Sequence, residues 1–200
     1  SANVSPNFII SNSTLRVNTF VRKGNQAQMR IASDIVIDGT LTLRSDNATG
    51  SGILIPGRIR EVSSGSVLVV QNAAGGVYLY NTNNAYTGET VVRRGILVLS
   101  GDAPAAGPGV AGAVTDPILL GDEQTGAGNW GAELQIPNGV SVARSVRVVD
   151  TGSTATPVVA IGGSAGSRTF PLILDRDVQL RYGQPGNGTY GGFITGTGGV

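Results

Sequence analysis

Three observations predict an all-β fold for this chain, a right-handed parallel β-helix forming one rod-like solenoid segment over residues 1–200. Short runs of alternating apolar and polar residues, rich in Val, Ile and Thr, follow one another almost without interruption. Gly, Asn, Asp, Ser or Pro separates nearly every pair of runs. A corner sequence also recurs, at Asp38-Gly39, Ser64-Gly65, Arg94-Gly95 and Asn138-Gly139, each followed by alternating apolar residues, with the glycines 26, 30 and 44 residues apart. Periods of roughly 20–50 residues signal solenoids, propellers or arrays. The first two spacings suit single coils, and the third requires two short coils or an inserted loop.

Taken in order, Ile35, Ile37, Leu41 and Leu43 mark apolar positions around the Gly39 corner. Strand-like runs follow at 67–70, 76–80, 89–92, 96–99, 118–120, 134–136, 140–149, 158–161, 172–174 and 178–182. Residues 102–114 are interrupted by Pro104 and Pro108 and read as a loop, so 100–115 is the expected insertion between coils. No stretch of ten residues carries helical periodicity. In a β-helix, rungs stack at about 4.8 Å and bond to their neighbours rather than within themselves. Asn72, Asn81, Asn84 and Asn138 sit where corner side chains would stack into amide ladders. A propeller requires regular four-stranded blades, and only one interval fits. A sandwich requires hairpins, for which Asp38-Gly39, Asn138-Gly139 and Asn187-Gly188 would be the turns.

Composition narrows the function classes. Glycine occupies 31 of 200 positions and charged residues only 14%, against about 25% in ordinary globular proteins. The 40% hydrophobic content still suffices for a core. Net charge is +1, with scattered arginines apart from Arg22-Lys23, Arg58/Arg60 and Arg93-Arg94, which is no footprint for nucleic acid. No Cys and no His are present, excluding disulfides, thiolate metal sites and His-dependent nucleophilic catalysis. No apolar run reaches the length of a membrane-spanning helix. The chain starts without Met or a leader at Ser1 and stops within a motif at Gly198-Gly199-Val200, so it is expected to be processed or part of something longer.

Each remaining candidate for chemistry has a plainer reading. Asp175 and Asp177, two apart, would share a strand face about 6.6 Å apart, within glycosidase range. Leu172, Leu174, Val178, Leu180 and Tyr182 share one parity, however, which would drive Arg176 inward; a polar corner at 175–177 fits better. Asp122-Glu123 reads as an exposed loop pair. Gly162-Gly163 and Gly198-Gly199 lack the aspartate of calcium-binding nonapeptides. Residues 107–112 spell G-x-G-x-x-G without the strand-then-helix context a phosphate loop needs. Tyr78 and Tyr80 alternate with Val77 and Leu79, so both hydroxyls are expected outside, stacking across rungs or offering sugar-stacking faces. Trp130 is expected to plug a loop, and Arg93-Arg94 to form a solvated corner. No catalytic, cofactor-binding or metal residue is assigned.

The most informative stretch is 83–99. There Asn84, Tyr86, Thr87, Gly88, Thr90, Val92, Gly95, Leu97 and Leu99 resemble the autotransporter-associated β-strand repeat, or passenger-associated strand repeat, of bacterial secreted and surface proteins. Arg93-Arg94 replaces small polar residues of that pattern, and Ile96 replaces its usual Thr. Residues 193–199 resemble the F-x-G-x-I-x-G-x-G-G run preceding such a strand, although Gly192 stands directly before Phe193. The close match spans roughly 75–105 and 186–199; 1–74 fit by alternation alone, as weakly matching coils, and 116–200 form further coils. The resemblance implies a non-catalytic extracellular module, structural or adhesive, in a bacterial surface or secreted fibre. Its partners would be neighbouring repeats or further copies, with surface glycans or matrix beside them, and no nucleic acid or membrane insertion. A carbohydrate-active or glycan-binding β-helix is the alternative.

Overall fold

A computed structural model describes residues 8–10, 14–16, 19–22, 28–45, 52–125, 131–150, 160–163, 167–180 and 189–200. Within them the chain is a parallel β-solenoid without helix. The first strands are β1 (Phe8–Ile10), β2 (Thr14–Arg16), β3 (Thr19–Arg22), β4 (Met29–Ile31) and β5 (Asp34–Ile37). β6 (Thr40–Ser45), β7 (Ile53–Ile55) and β8 (Ile59–Glu61) lead to two long strands, β9 (Val67–Leu79) and β10 (Thr90–Leu99). β11 (Ile118–Leu120), β12 (Ala132–Ile136), β13 (Val146–Val148), β14 (Ala160–Gly163) and β15 (Ser167–Arg168) follow. β16 (Leu172–Leu174), β17 (Gln179–Leu180), β18 (Thr189–Tyr190) and β19 (Ile194–Gly196) complete the series.

Every pairing between these strands is parallel, which excludes the hairpins of a sandwich. One isolated antiparallel bridge joins Asn84 to Gly109. The strands occupy three faces in rotation. The first face carries β1, β4, β7, the second half of β9, the second half of β10, then β12, β14 and β17. The second carries β2, β5, β8 and, separately, β15 with β18. The third carries β3, β6, the first halves of β9 and β10, then β11, β13, β16 and β19.

Register explains why the sequence winds this way. On the third face Leu43, Val70, Val92, Leu120, Val148 and Leu174 stand above one another, all fully buried. On the first face Ile53, Val77, Leu97, Leu134 and Ile161 do the same. Alternation therefore feeds a thin core whose columns are filled by one residue per coil. Each coil buries its apolar edge only against the coils above and below. Deleting a single column residue, Leu97→Ala for instance, leaves a cavity between coils worth roughly 2–5 kcal/mol.

The corner glycines have the left-handed backbone expected of them: φ is +85° at Gly39, +87° at Gly65, +84° at Gly95 and +81° at Gly139. They do not mark one corner, however. Gly39 and Gly65 lie before the third face, where Val67 N–H donates to Gly39 O. The next coil fills that corner with Gly88, whose N–H donates to Ser66 O. Gly95 instead lies where β10 bends from third face to first, and Gly139 lies after β12 on the first. The 26-residue spacing is one coil, and the spacings of 30 and 44 join unlike corners. Any tight corner selects glycine, so the residue reports a bend without reporting which bend. The runs at 67–70 and 76–80, and those at 89–92 and 96–99, prove to be two bent strands rather than four separate ones.

Candidate functional site

The first part of the motif, Asn84 to Thr90, converges on a polar seam between the second and third faces. Asn84 is fully buried. Its Oδ1 accepts from Ile59 N–H at 2.7 Å, and its Nδ2 donates to Val110 O at 2.9 Å. One side chain thus joins three successive coils, with the partners 25 and 26 residues away. Thr87 O–H donates to Glu61 Oε1 at 2.6 Å, its N–H donates to Glu61 Oε2 at 3.0 Å, and its hydroxyl accepts from Gly65 N–H at 2.8 Å. Gly88 passes so close to the coil before it that a Cβ would lie 2.5 Å from the carbonyl oxygens of Gly65 and Ser66. The Gly of the motif is there for close approach.

Thr90 pairs with Leu68 on the third face, on the apolar side of the strand, so its hydroxyl requires a partner inside the core. It donates to Ala111 O at 3.0 Å and lies 2.7 Å from the Tyr86 hydroxyl. Tyr86 is fully buried, and burial pushes its phenol well above the ordinary tyrosine value. Arg144, 1% exposed, enters the same seam from a later coil, its guanidinium donating to Ala111 O at 2.5 Å and to Gly112 O at 2.9 Å. Burial lowers its hold on the proton, while Tyr86 and Asp116 act in the opposite direction.

Within the 107–112 stretch, residues 109–112 form the other wall. Gly109, Val110, Ala111 and Gly112 are buried, and the carbonyls of Val110, Ala111 and Gly112 point at Asn84, Thr90 and Arg144. A phosphate-cradling loop presents N–H groups; here the Val110 and Gly112 amides are bonded within the loop, to Asp102 O and Gly109 O. No strand forms between β10 and β11, and Ala103, Val110 and Ala111 fill the core there instead.

The other sequence-predicted positions divide clearly. Asp175, Arg176 and Asp177 lie between β16 and β17, the expected polar corner. Asp175 pairs with Arg147 at 2.7 Å, and Asp177 Oδ1 accepts from Gly199 N–H at 2.7 Å. Asp122 is no free loop carboxylate: it takes Arg93 at 2.6 Å and the Gln124 N–H at 2.9 Å. Arg93 is correspondingly not a solvated corner residue, since its side chain is 19% exposed and spans two coils. Val77 and Leu79 are buried, with Tyr78 half-buried and Tyr80 40% exposed on the outer side. The Tyr78 ring lies over Gly52 and Gly76, where a Cβ would come within 2.6 and 2.9 Å of it. Asn81 Nδ2 donates to Pro56 O, and Asn84 likewise reaches main chain, so these asparagines bond backbone between coils instead of forming amide ladders. Trp130 and Asn187-Gly188 lie outside the described residues. Among the described residues no three His, Cys, Asp or Glu gather as a metal site.

Arg144 carried a readable signal. Val140, Val142, Arg144, Val146 and Val148 share one parity, which places an arginine in a row of valines facing the core. Glu61 and Ser66, which brace the same corner, had no comparable signal. The chain matches no protein-family model, no curated protein and no solved structure.

Proposed function

We propose that this chain is a non-catalytic structural module, a β-solenoid section of a bacterial secreted or surface fibre of the autotransporter-associated repeat type. One observation carries the reading: polar side chains, within the motif and outside it, are spent on joining coils. Asn84 reaches 25 and 26 residues, Thr87 to Glu61 26, Arg93 to Asp122 29 and Arg147 to Asp175 28, each about one coil away. Groups bound in this way hold a rod together and leave little free acid–base chemistry. A rod of this kind works as spacer and surface, with neighbouring repeats or further copies stacking at its ends.

Antibodies raised against the folded chain should label intact source cells or their secreted matrix, and electron microscopy of the purified protein should show short rods or end-to-end strings. Purely cytoplasmic labelling would overturn the placement, and a compact particle at high concentration would overturn end-to-end assembly. Tyr80, at 40% exposure, favours a second reading in which the outer face binds glycans. Binding on a glycan array that disappears with Tyr80→Ala would establish it.

A further inference from the structure

Of the four corner glycines, three have their amides engaged. Gly39 N–H donates to Ser66 Oγ at 3.1 Å, Gly65 N–H to Thr87 Oγ1 at 2.8 Å and Gly95 N–H to Gly131 O at 2.9 Å. The Gly139 N–H meets no acceptor among the described residues, although the turn around it is closed by Val140 N–H on Pro137 O at 3.3 Å. Asn138 before it is exposed, Gly139 is exposed, and the space where a Cβ would stand at Gly139 is open to 4 Å. The other described asparagines differ. Asn84 is buried with both amide atoms bound, and Asn81 has its oxygen and nitrogen engaged by Asn83 N–H and Pro56 O. Asn72 is buried and precedes alanine; Asn83 precedes Asn84. The Asp38-Gly39 corner has the same backbone, but its glycine amide is held by Ser66.

We infer that Asn138-Gly139 is a self-modification site at which Asn138 deamidates through a cyclic imide. The Gly139 amide nitrogen, after losing its proton to a base in solution, adds to the Asn138 side-chain carbonyl carbon. The new C–N bond closes a five-membered succinimide as the side-chain amide leaves as ammonia. Water then opens the ring at one of its two carbonyls, giving aspartate or isoaspartate. The balance is asparagine plus water to a carboxylic acid plus ammonia, with no oxidation change. A missing side chain at position 139 leaves the attacking nitrogen unhindered. The product carries a carboxylate at an exposed corner and lowers the net charge from +1 to zero. The isoaspartate form also adds a main-chain carbon to the turn after β12.

The folded 200-residue chain is incubated at neutral and at alkaline pH, then digested and mapped by mass. The expected result is a gain equal to exchanging NH for O on the peptide containing residue 138, faster at alkaline pH, labelled in part by an isoaspartate methyltransferase and lost in Asn138→Gln. No gain at residue 138, or equal gains on the peptides containing Asn72 and Asn84, would overturn the inference.

Discussion

At the scale of single residues, Asn84 is the most exacting position. It supplies one acceptor and one donor to main-chain groups of two different coils while its own side chain is fully buried. Asn84→Ala leaves the Ile59 N–H and the Val110 C=O unsatisfied, so urea unfolding should show a loss of about 2–4 kcal/mol. Asn84→Asp should do no better at neutral pH, because a carboxylate cannot donate to Val110 O. Two corner glycines offer a sharper comparison. At Gly39 an added Cβ meets nothing within 4 Å, so Gly39→Ala should cost only the left-handed backbone penalty, about 1–2 kcal/mol. At Gly95 the same atom would fall 2.6 Å from Asn72 Cβ. Gly95→Ala should therefore lower the thermal midpoint distinctly more, although φ is nearly the same. Both glycines were legible as corners in the sequence. The difference between them was not, because Asn72 comes to lie against Gly95 only once the coils stack.

At the scale of elements, the decisive feature is the strandless passage from β10 to β11. Proline and glycine at 104–112 announced a loop, and a loop it is: Ala105, Ala106 and Pro108 are exposed, while 109–112 turn inward as a packed wall of the core. The carbonyls there have no neighbouring strand to bond, and Asn84, Thr90 and Arg144 provide the donors from other coils. Arg144→Met should destabilise by about 1–2 kcal/mol: Gly112 O loses its donor while Ala111 O keeps the Thr90 hydroxyl, and the loss is partly offset by relief from burying a cation. A guanidine melt of the variant measures this. Two tyrosines, Tyr86 in the seam and Tyr190 in β18 against Phe170, also make the fold sensitive to alkali. Burial raises the Tyr86 phenol far above the ordinary value near 10 and Tyr190 to about 12. A raised pKa means that folding favours the protonated form. The stability this contributes is complete below pH 10 and drains away as the pH climbs towards 12. Denaturant midpoints taken across that window should fall, and fall less in Tyr190→Phe.

At the scale of the molecule, coils contact only their neighbours, so protection should follow position in the stack. Amide exchange should be slowest in β9 and β10, each hydrogen-bonded on both sides along two faces. It should be fastest in β19, which pairs with β16 alone among the described strands and leaves Phe193 84% exposed. Uniform protection from β4 to β19 would contradict a stack of semi-independent coils.

Alternation of β-branched residues and glycine punctuation determined, from the sequence alone, an all-β chain that bends often, and with it the solenoid. Those signals are local: they depend on a residue and its neighbours along the chain. Which corner each glycine occupies, which carboxylates are taken up by arginines, and where Asn84 and Arg144 end their hydrogen bonds were decided by the tertiary structure. Those contacts join residues about one coil apart, and only register brings them together. Coil length varies with every loop, so the register exists in the stacked molecule and not in the spacing of its letters.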